Sequence, residues 1–396
     1  MLTLIENGEI YSPEPMGKGS ILLVENQILK VGEINRRAVE SLGVEFEIID
    51  ARNCLISPGF IDPHLHLLGG SGEKGFSTQT PEISATEIIG AGITTVVGCL
   101  GVDTTMKTMP GLLAKAKALK EEGLNAFIWT GGYNVPPTTI SKSARDDIMF
   151  IEEVIGAGEI AISDERSTEP DFHELAHLAH DAYVGGMLSK KAGVTHFHVG
   201  ETGKRLHLLR DLIDKDDCKP EWLYPTHITR SEELMLEAIA LAARGCFVDI
   251  DTVEEDLEKW LKFYKDNGGD MKKLTVSSDS SITSPATFFE QIRACVVGQK
   301  FTLEEVLPLV TANTAKALKL DAKGTIEIGK SADCLVLEKD SFELREVIAG
   351  GRRLFKDGKI AFKEAFLKDS NRSINLTGEK KPKRAKASKA KGTRQK

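Results

Sequence analysis

The sequence lacks the features of a disulfide-bonded, secreted or membrane-spanning protein. Its six cysteines stand singly, with no Cys-x-x-Cys pair, which argues against a disulfide framework or a zinc ribbon. No apolar run approaches the length that crosses a bilayer. The segment from Met1 to Gly8 has neither a basic region nor a long apolar region, so no signal peptide is predicted. We therefore expect a cytoplasmic protein with no membrane partner.

Acidic residues are absent from the last part of the chain, although the net charge of the whole chain is −8. Residues 380–396 carry nine lysines and arginines and, apart from Pro382, no apolar residue larger than alanine. Such a segment cannot bury enough apolar surface to fold, so residues 367–396 are predicted to be a disordered basic tail. The tail could bind a polyanion or simply increase solubility. Nothing in it indicates that nucleic acid is the substrate of the folded body.

The remaining chain is long enough for one large core and a smaller accessory domain, and its composition is that of an ordinary globular protein. Short strands are predicted near both ends, at residues 2–6, 20–25, 27–31, 45–50, 333–338, 344–349, 352–356 and 359–362. Neither set is large enough for a core of its own. We expect residues 1–56 and 325–366 to form one small β-sandwich domain into which the rest of the chain is inserted.

The middle of the chain, residues 57–324, alternates short apolar strands with helical patterns such as 109–122 and 231–244. This alternation is typical of a parallel α/β fold. Eight strands are predicted, at 60–65, 94–99, 126–130, 159–163, 195–199, 223–228, 247–250 and 274–278. The count favours a TIM-like (β/α)8 barrel over a doubly wound open sheet. In such a barrel the active site lies at the carboxyl ends of the strands.

Metal-binding side chains stand at several of these strand ends. His64 and His66 end the first strand, and side chains two residues apart in a strand share a face. Further candidates end the fifth, sixth and eighth strands: His196, His198, His227 and Asp279. Imidazole and carboxylate groups are typical ligands of divalent metals, so a metal site is predicted at the mouth of the barrel.

The same histidines and aspartate are accompanied by further motifs: Pro58-Gly-Phe-Ile-Asp, Thr311-Ala-Asn-Thr-Ala-Lys-Ala-Leu and Gly329-Lys-Ser-Ala-Asp-Cys-Leu-Val. With them, residues 1 to about 365 resemble the amidohydrolase superfamily (peptidase family M38), whose barrels hold one or two divalent metals. The resemblance selects His198 rather than His196 as a ligand, and it leaves His196 to packing or to support of the site.

Within that superfamily the chain resembles the isoaspartyl (β-aspartyl) dipeptidases. The resemblance rests on Gly69-Gly-Ser-Gly-Glu73, Thr94-Thr-Val-Val-Gly, Thr130-Gly-Gly-Tyr133-Asn-Val-Pro, Ala161-Ile-Ser-Asp-Glu-Arg166-Ser and Pro225-Thr-His-Ile-Thr-Arg230. It implies that Glu73 binds the substrate α-amino group and that Tyr133 polarises the scissile carbonyl. It also implies that Arg166 and Arg230 hold carboxylates, to which the planar guanidinium is suited.

One departure from that family concerns the fourth strand, where the family has a carboxylated lysine that bridges two metals. The equivalent residue here is Glu159, in a strand without lysine. A glutamate in an apolar strand is costly to bury ionised unless a cation pairs with it. We therefore predict that Glu159 is itself the bridging carboxylate, brought closer to the metals by one extra residue before it. The alternative is an outward-facing charge and a mononuclear site.

A second departure follows Asp279, where Thr283 stands in place of a substrate-contacting serine; Val102 likewise replaces a threonine. The identity of the substrate is thus less fixed than the reaction. We expect Thr283 to contact substrate.

The resemblance implies a hydrolase of small β-aspartyl dipeptides that uses two divalent metal ions, with zinc as the expected metal. The expected ligands are His64, His66, Glu159, His198, His227 and Asp279. A metal-bridging hydroxide would attack the carbonyl, with Asp279 as general base and then acid and Tyr133 stabilising the oxyanion. The family is commonly octameric, so a homo-oligomer is expected.

Three alternatives stay open from the sequence. The chain could be a cyclic-amide hydrolase of dihydroorotase or hydantoinase type, or another N-acyl amino acid amidohydrolase. It could also be a non-enzymatic scaffold that uses the barrel surface and the basic tail.

Overall fold

The computed structural model describes residues 2–254 and 256–371. One compact unit ends at Phe362, and a second segment begins at Lys363. In that segment Phe366–Asp369 form a short helix, so residues 367–369, which were predicted to belong to the disordered tail, are helical. The rest of the predicted tail, residues 372–396, lies outside the described residues.

The strands of the described chain fall into three groups. Five come first: β1 (Leu2–Tyr11), β2 (Pro15–Val24), β3 (Gln27–Gly32), β4 (Glu47–Asp50) and β5 (Cys54–Pro58). Eight occupy the middle: β6 (Phe60–Leu65), β7 (Ile93–Gly98), β8 (Asn125–Thr130), β9 (Val154–Ile162), β10 (Thr195–Val199), β11 (Leu223–Thr226), β12 (Val248–Asp251) and β13 (Leu274–Ser277). Four come last: β14 (Cys334–Glu338), β15 (Leu344–Ala349), β16 (Arg352–Lys356) and β17 (Lys359–Ile360).

Most helices lie between the middle strands. In chain order they are α1 (Arg36–Glu40), α2 (Ala85–Gly90), α3 (Met109–Glu122), α4 (Ala144–Phe150), α5 (Phe172–Ser189), α6 (His207–Lys215), α7 (Glu232–Ala243), α8 (Leu257–Asp266), α9 (Pro285–Val297), α10 (Leu303–Val306), α11 (Ala312–Ala317) and α12 (Phe366–Asp369). Local sequence explains their bounds. The Thr108 side chain caps α3, and Gly123, at φ 110°, ends it in the left-handed conformation that glycine tolerates. Asp171 and Glu174 form a capping box at the start of α5.

The first and last strands join in one nine-stranded sheet, with the order β17-β16-β15-β14-β5-β1-β2-β3 and with β4 paired to β1. The two chain ends meet where β14 runs antiparallel to β5, with Val336 opposite Ile56. Ile5, Ile21 and Ile348 belong with these two residues to one buried aliphatic cluster. This sheet forms the β-rich part of the fold. None of the helices in the described residues is both long and apolar enough to span a membrane.

The middle strands are all parallel to their neighbours. Six form one sheet, in the order β11-β10-β9-β8-β7-β6, and β12 and β13 form a separate pair. The strands are buried on both faces, as parallel sheets covered by helices are; all residues of β7 and β9 are buried. The predicted mixed α/β architecture, with a parallel strand layer and a β-rich part, is therefore confirmed.

The sequence did not predict β5, and it predicted three strands too short. It placed β1 at 2–6 and β2 at 20–25, but they span Leu2–Tyr11 and Pro15–Val24. The third of these strands is β9. The sequence predicted it at 159–163, but it runs from Val154 to Ile162, so that Glu159 lies well inside the strand. Its register with β10 is irregular: Ala157 pairs with Thr195, but Ile160 pairs with Phe197. Two residues of β9, Gly158 and Glu159, therefore lie opposite one residue of β10. This is a β-bulge, which bends a strand and redirects a side chain.

Candidate metal centre

The six residues predicted as metal ligands lie together at the carboxyl ends of the middle strands. His64 lies in β6, Glu159 in β9 and His198 in β10. His66 directly follows β6, His227 directly follows β11, and Asp279 lies two residues after β13. The backbone N–H of Asp279 donates to the carbonyl of His64 at 3.0 Å, which holds the two segments side by side. Three groups of ligand atoms here, one of which adds Cys99 to the predicted ligands, are close enough to hold a cation: His64, His66, Cys99 and Glu159; His64, His227 and Asp279; Glu159, His198 and His227.

Glu159 lies at the centre of the cluster and is fully buried. Its Oε2 atom is 3.3 Å from Nε2 of His64, 3.3 Å from Nδ1 of His198 and 3.7 Å from Nε2 of His227. Its Oε1 atom is 3.4 Å from Nε2 of His66. Burial raises the pKa of this carboxyl, but the surrounding histidines outweigh burial and hold the pKa well below its usual range. Glu159 thus carries a negative charge that four imidazoles face.

The bulge of β9 explains how a glutamate reaches this position. Gly158 precedes Glu159 with a φ of 152°, and a Cβ atom on it would lie 2.8 Å from Cβ of His196. Only glycine permits so close an approach of the two strands. The extra residue noted in the sequence before Glu159 is therefore accommodated in the bulge.

His64 is held by His196 and the backbone of β11. Nδ1 of His196 lies 2.9 Å from the carbonyl oxygen of Tyr224, an acceptor, so this nitrogen must carry the proton. Burial lowers the pKa of His196 well below its ordinary value, so the ring is neutral and its Nε2 is an acceptor. Nδ1 of His64, at 2.7 Å, must then donate to it. Nε2 of His64 is left facing Glu159 and Asp279, each at 3.3 Å.

His227 and His198 are oriented by carboxylates in a similar way. Nδ1 of His227 donates to Oδ2 of Asp251 at 2.8 Å, and Nε2 of His198 donates to Oδ2 of Asp164 at 3.0 Å. In each ring the other nitrogen faces Glu159. A carboxylate that receives the outer N–H of a histidine is the usual support of a metal-ligating imidazole.

The cluster fits divalent cations. Nε2 of His64, Nε2 of His227 and Oε1 of Glu159 are buried atoms without a hydrogen-bond partner in the described structure. A buried polar atom left in this state is costly. In a tetrahedral shell with bonds of about 2.05 Å, ligand atoms lie about 3.3 Å apart, and the nitrogen–oxygen distances around Glu159 and Asp279 are 3.0–3.7 Å. A set of imidazole and carboxylate donors at this spacing suits zinc and similar ions.

Next to the cluster lies a cavity of about 540 Å³, lined by Glu73, Asp164, Glu165, Arg166, Glu201, Thr202 and Arg230. Arg166 donates from Nη1 to Glu73 at 2.7 Å and from Nε and Nη2 to Asp164, each at 2.8 Å. Arg230 donates to the carbonyl of Val199 at 2.9 Å and to Glu201 at 3.2 Å. The predicted substrate-binding residues Glu73, Arg166 and Arg230 therefore share one cavity.

Tyr133 joins the cavity side to the metal ligands. It is 4% exposed, its hydroxyl lies 2.9 Å from Nδ1 of His198, and the Arg166 guanidinium stands 5.3 Å from its ring centre. Burial and the charge of Glu159 raise the pKa of Tyr133 well above its ordinary value, so the hydroxyl keeps its proton and can donate it in a hydrogen bond. Thr283 is half-buried in the loop after β13 and is not among the residues that line the cavity.

The sequence did not reveal three residues that the structure adds to the site, Cys99, Asp164 and Asp251, and it did not show which hydrogen bonds His196 makes. Asp251 ends β12 and Cys99 follows β7, so both stand at strand ends like the predicted ligands. Their position could have marked them as candidates. The hydrogen bonds of His196 and Asp164 carry no signal in the sequence.

Comparison with known proteins identifies the family of the chain. A model of the amidohydrolase family matches residues 55–361. A curated dihydroorotase from Lactobacillus gasseri is 23% identical over an alignment 406 residues long, gaps included. The alignment covers 85% of this chain and 89% of the relative. An adenine deaminase from Methanosphaera stadtmanae is 26% identical over 369 residues, covering 87% of this chain but 59% of that protein.

Solved structures include closer relatives. A β-aspartyl dipeptidase from Fervidobacterium islandicum AW-1 is 40% identical, with a TM-score of 0.88 over 92% of this chain and 100% of the other. A second structure from that organism, in complex with a β-Asp-Leu dipeptide, is 38% identical, with a TM-score of 0.87 over 92% of this chain and 99% of the other. A D-hydantoinase from Thermus sp., 16% identical with a TM-score of 0.64 over 91% of this chain and 97% of the other, shares the fold alone. The chain belongs to the amidohydrolase family and is, within it, a relative of the β-aspartyl dipeptidases.

Proposed function

We propose that the protein hydrolyses small dipeptides with a β-aspartyl linkage at a centre of two divalent metal ions, with zinc as the expected metal. The observation that carries this proposal is the charge pattern beside the metal ligands. A β-aspartyl dipeptide has one ammonium and two carboxylates. The cavity contains two arginines, Arg166 and Arg230, that can pair with the carboxylates. It also contains four acidic residues: Glu73, which would pair with the ammonium, and Asp164, Glu165 and Glu201. Charged hydrogen bonds of this kind are the strong ones in recognition.

We also infer that β6 to β13 close into a barrel. Two backbone hydrogen bonds support closure between the last and first strands: Asp279 to the carbonyl of His64, and His66 to the carbonyl of Ser280, each at 3.0 Å. A closed barrel would fix the relative positions of ligands that come from five different strands.

In the proposed mechanism His64, His66, Glu159, His198, His227 and Asp279 hold the metals. When bound, the ions supply the Lewis acidity that lowers the pKa of an attacking water and polarises the scissile carbonyl. Asp279 accepts a proton from the water and passes it to the leaving amine nitrogen. The Tyr133 hydroxyl donates a hydrogen bond to the carbonyl oxygen as negative charge develops there. Arg166 and Arg230 bind the carboxylates, and Glu73 pairs with the α-ammonium.

A cyclic-amide hydrolase is the second candidate, because the dihydroorotase relative spans most of this chain. Dihydroorotate has one carboxylate and no ammonium, and hydantoin is uncharged. Neither substrate would use Glu73 together with both arginines. The charge pattern of the cavity therefore favours the dipeptide.

The test measures hydrolysis of β-Asp-Leu by purified, metal-loaded protein. Hydrolysis of α-Asp-Leu, dihydroorotate and hydantoin is measured in parallel for comparison. We expect cleavage of β-Asp-Leu at least about a hundredfold faster than of the others, as expected where charged groups of the site would be left unpaired. A chelator should abolish turnover and zinc should restore it. Preferred hydrolysis of dihydroorotate or hydantoin, or full activity in metal-free protein, would overturn the proposal.

A further inference from the structure

Cys99 lies beside the proposed metal ligands although it belongs to none of the expected ligand sets. It directly follows β7 and is 1% exposed. Its Sγ atom is 3.7 Å from Nδ1 of His66. Ligand atoms of Cys99, His64, His66 and Glu159 all lie within 4.8 Å of one another. The thiol therefore faces the same small volume as three of the proposed ligands.

Two of those three residues carry buried atoms that lack a hydrogen-bond partner in the described structure: Nε2 of His64 and Oε1 of Glu159. Both side chains are fully buried, so water does not satisfy these atoms. They point to a cation independently of the cysteine. Thiolate, imidazole and carboxylate together form a donor set typical of zinc.

The surroundings of Cys99 also differ from those of an ordinary buried thiol in this chain. Sγ of Cys246 donates to the carbonyl of Leu223 at 2.9 Å, which satisfies its S–H. The polar neighbour of Cys99 Sγ is instead the ring of His66, a proposed ligand. Gly101 keeps this space open, since a Cβ atom there would lie 3.0 Å from Cε1 of His66 and 3.6 Å from Oε1 of Glu159.

We propose that the Cys99 thiolate is a direct ligand of the metal ion held by His64 and His66. This inference rests on the metal centre of the proposed function. A thiolate is a soft donor, so it favours zinc, cadmium and cobalt over manganese and magnesium at this site. The competing role is a hydrogen bond from Nδ1 of His66 to a sulfur that does not touch the metal.

Cobalt spectroscopy distinguishes the two roles. The protein is loaded with Co²⁺, and its near-ultraviolet spectrum is recorded for the wild type, for Cys99→Ala and for Cys295→Ala. Cys295 is a matched control, because it is equally buried but lies on α9. We expect an intense sulfur-to-cobalt charge-transfer band in the wild type and in Cys295→Ala, and its loss in Cys99→Ala.

Metal affinity gives a second readout. Chelator competition should show zinc and cadmium bound at least about tenfold more weakly by Cys99→Ala, because a soft donor is lost and even losing a hydrogen-bonding partner of a ligand costs about that much. Manganese affinity should change much less. Cys99→Ser, which keeps the volume, should lose the band as well, and thermal unfolding shows whether each variant is folded.

Absence of the band in cobalt-loaded wild type, its persistence in Cys99→Ala, or failure of the site to bind cobalt would overturn the inference. None of these measurements depends on catalytic turnover. A protein that shows the band but does not cleave β-aspartyl dipeptides would refute the proposed function and leave Cys99 as a ligand. A protein that cleaves these dipeptides but lacks the band would support the proposed function and refute Cys99 as a ligand.

Discussion

His196 and His64 are joined by a hydrogen bond of 2.7 Å between Nε2 of the first and Nδ1 of the second. Because the carbonyl of Tyr224 fixes the proton of His196 on Nδ1, the bond determines which nitrogen of His64 is free. The free nitrogen faces Glu159 and Asp279. A histidine that the sequence left to packing or to support of the site thus sets the tautomer of a proposed ligand.

Replacing His196 should weaken metal binding without removing any ligand. In His196→Leu nothing accepts the Nδ1 proton of His64, so the tautomer and ring orientation are no longer held. We expect zinc affinity to fall about ten- to a hundredfold, the usual effect of losing a partner of a metal-ligating histidine. The measurement is competition with a chromophoric chelator.

His196→Gln serves as the conservative variant, since its amide oxygen can still accept from His64, and it should retain more affinity than His196→Leu. His173→Leu is the control; His173 is an exposed histidine on α5. Equal zinc affinity in His196→Leu and wild type would show that His196 only fills space.

Neutralising Glu159 should reduce the metal content. Glu159→Gln keeps the shape of the side chain but removes the negative charge that four imidazoles face. We expect fewer than two metals per chain and a fall in kcat of at least about a hundredfold, because the ions would lose a shared carboxylate. Metal analysis after gel filtration and initial rates with β-Asp-Leu measure both.

Glu159→Lys tests whether the bulge of β9 leaves room for a longer bridging side chain. Glu159→Lys in bicarbonate should not recover the second metal, because a carboxylated lysine is longer and the bulge already places the backbone of β9 close to the cluster. Glu152→Gln is the control, as Glu152 is exposed and precedes the same strand. Two metals and a normal rate in Glu159→Ala would contradict the bridging role.

Strong local signals made the main strands and most of the site predictable. The apolar runs of β6 and β10 are bounded by polar or turn residues, and the predicted bounds 60–65 and 195–199 match the structure. The histidines at strand ends could be predicted to lie together without knowledge of side-chain packing, because the carboxyl ends of parallel strands meet at one edge.

The sequence failed where pairing between distant segments decides the structure. The first half of β2 contains Gly17 and Gly19 and is mostly exposed, so it has no strand pattern, yet it pairs with β1 through Gly8 to Tyr11. The start of β9 was missed because its glycines, Gly156 and Gly158, weaken the strand signal. The partners of the ligands, such as Asp251 for His227, come from neighbouring strands and have no spacing rule.

The β-rich sheet provides a prediction for pH. Hydrogen bonds from Arg52 and then Asn7 lower the pKa of Asp50 to about 2. Its unfolded value is about 3.9, so the carboxylate stabilises the fold above about pH 4, and this contribution disappears as the pH falls towards 2. Because Asp50 is 38% exposed, solvent screening limits the effect to about 1 kcal/mol or less.

Asp50→Asn should accordingly unfold at lower denaturant concentration than the wild type at neutral pH, and the difference should shrink below about pH 4 and vanish only below about pH 2. Asp321→Asn, at an exposed aspartate, is the control. A difference that persists unchanged into acid would mean that the ionised carboxylate is not what stabilises the sheet edge.

Arg166 provides the sharpest test of substrate recognition, because its guanidinium contacts three groups at once. It donates to Glu73 and Asp164 and lies 3.1 Å from Nε2 of His198. In Arg166→Lys the charge remains, but a single ammonium cannot replace the planar fork. We expect kcat/KM for β-Asp-Leu to fall roughly ten- to a hundredfold, equivalent to about 1.5–3 kcal/mol.

The division of that loss between kcat and KM identifies what Arg166 does. If Arg166 only binds a substrate carboxylate, KM should rise while kcat and zinc content stay near wild type, because uniform binding is lost. If it acts through Asp164 and His198, kcat and zinc affinity should fall together. Arg244→Lys, at a surface arginine paired with Asp214 at 2.7 Å, is the control and should change neither constant. An unchanged kcat/KM in Arg166→Lys would show that Arg166 does not recognise the substrate. Arg230 would then be the single arginine of the cavity left to bind a substrate carboxylate. A substrate with one carboxylate, such as dihydroorotate, would fit that cavity equally well.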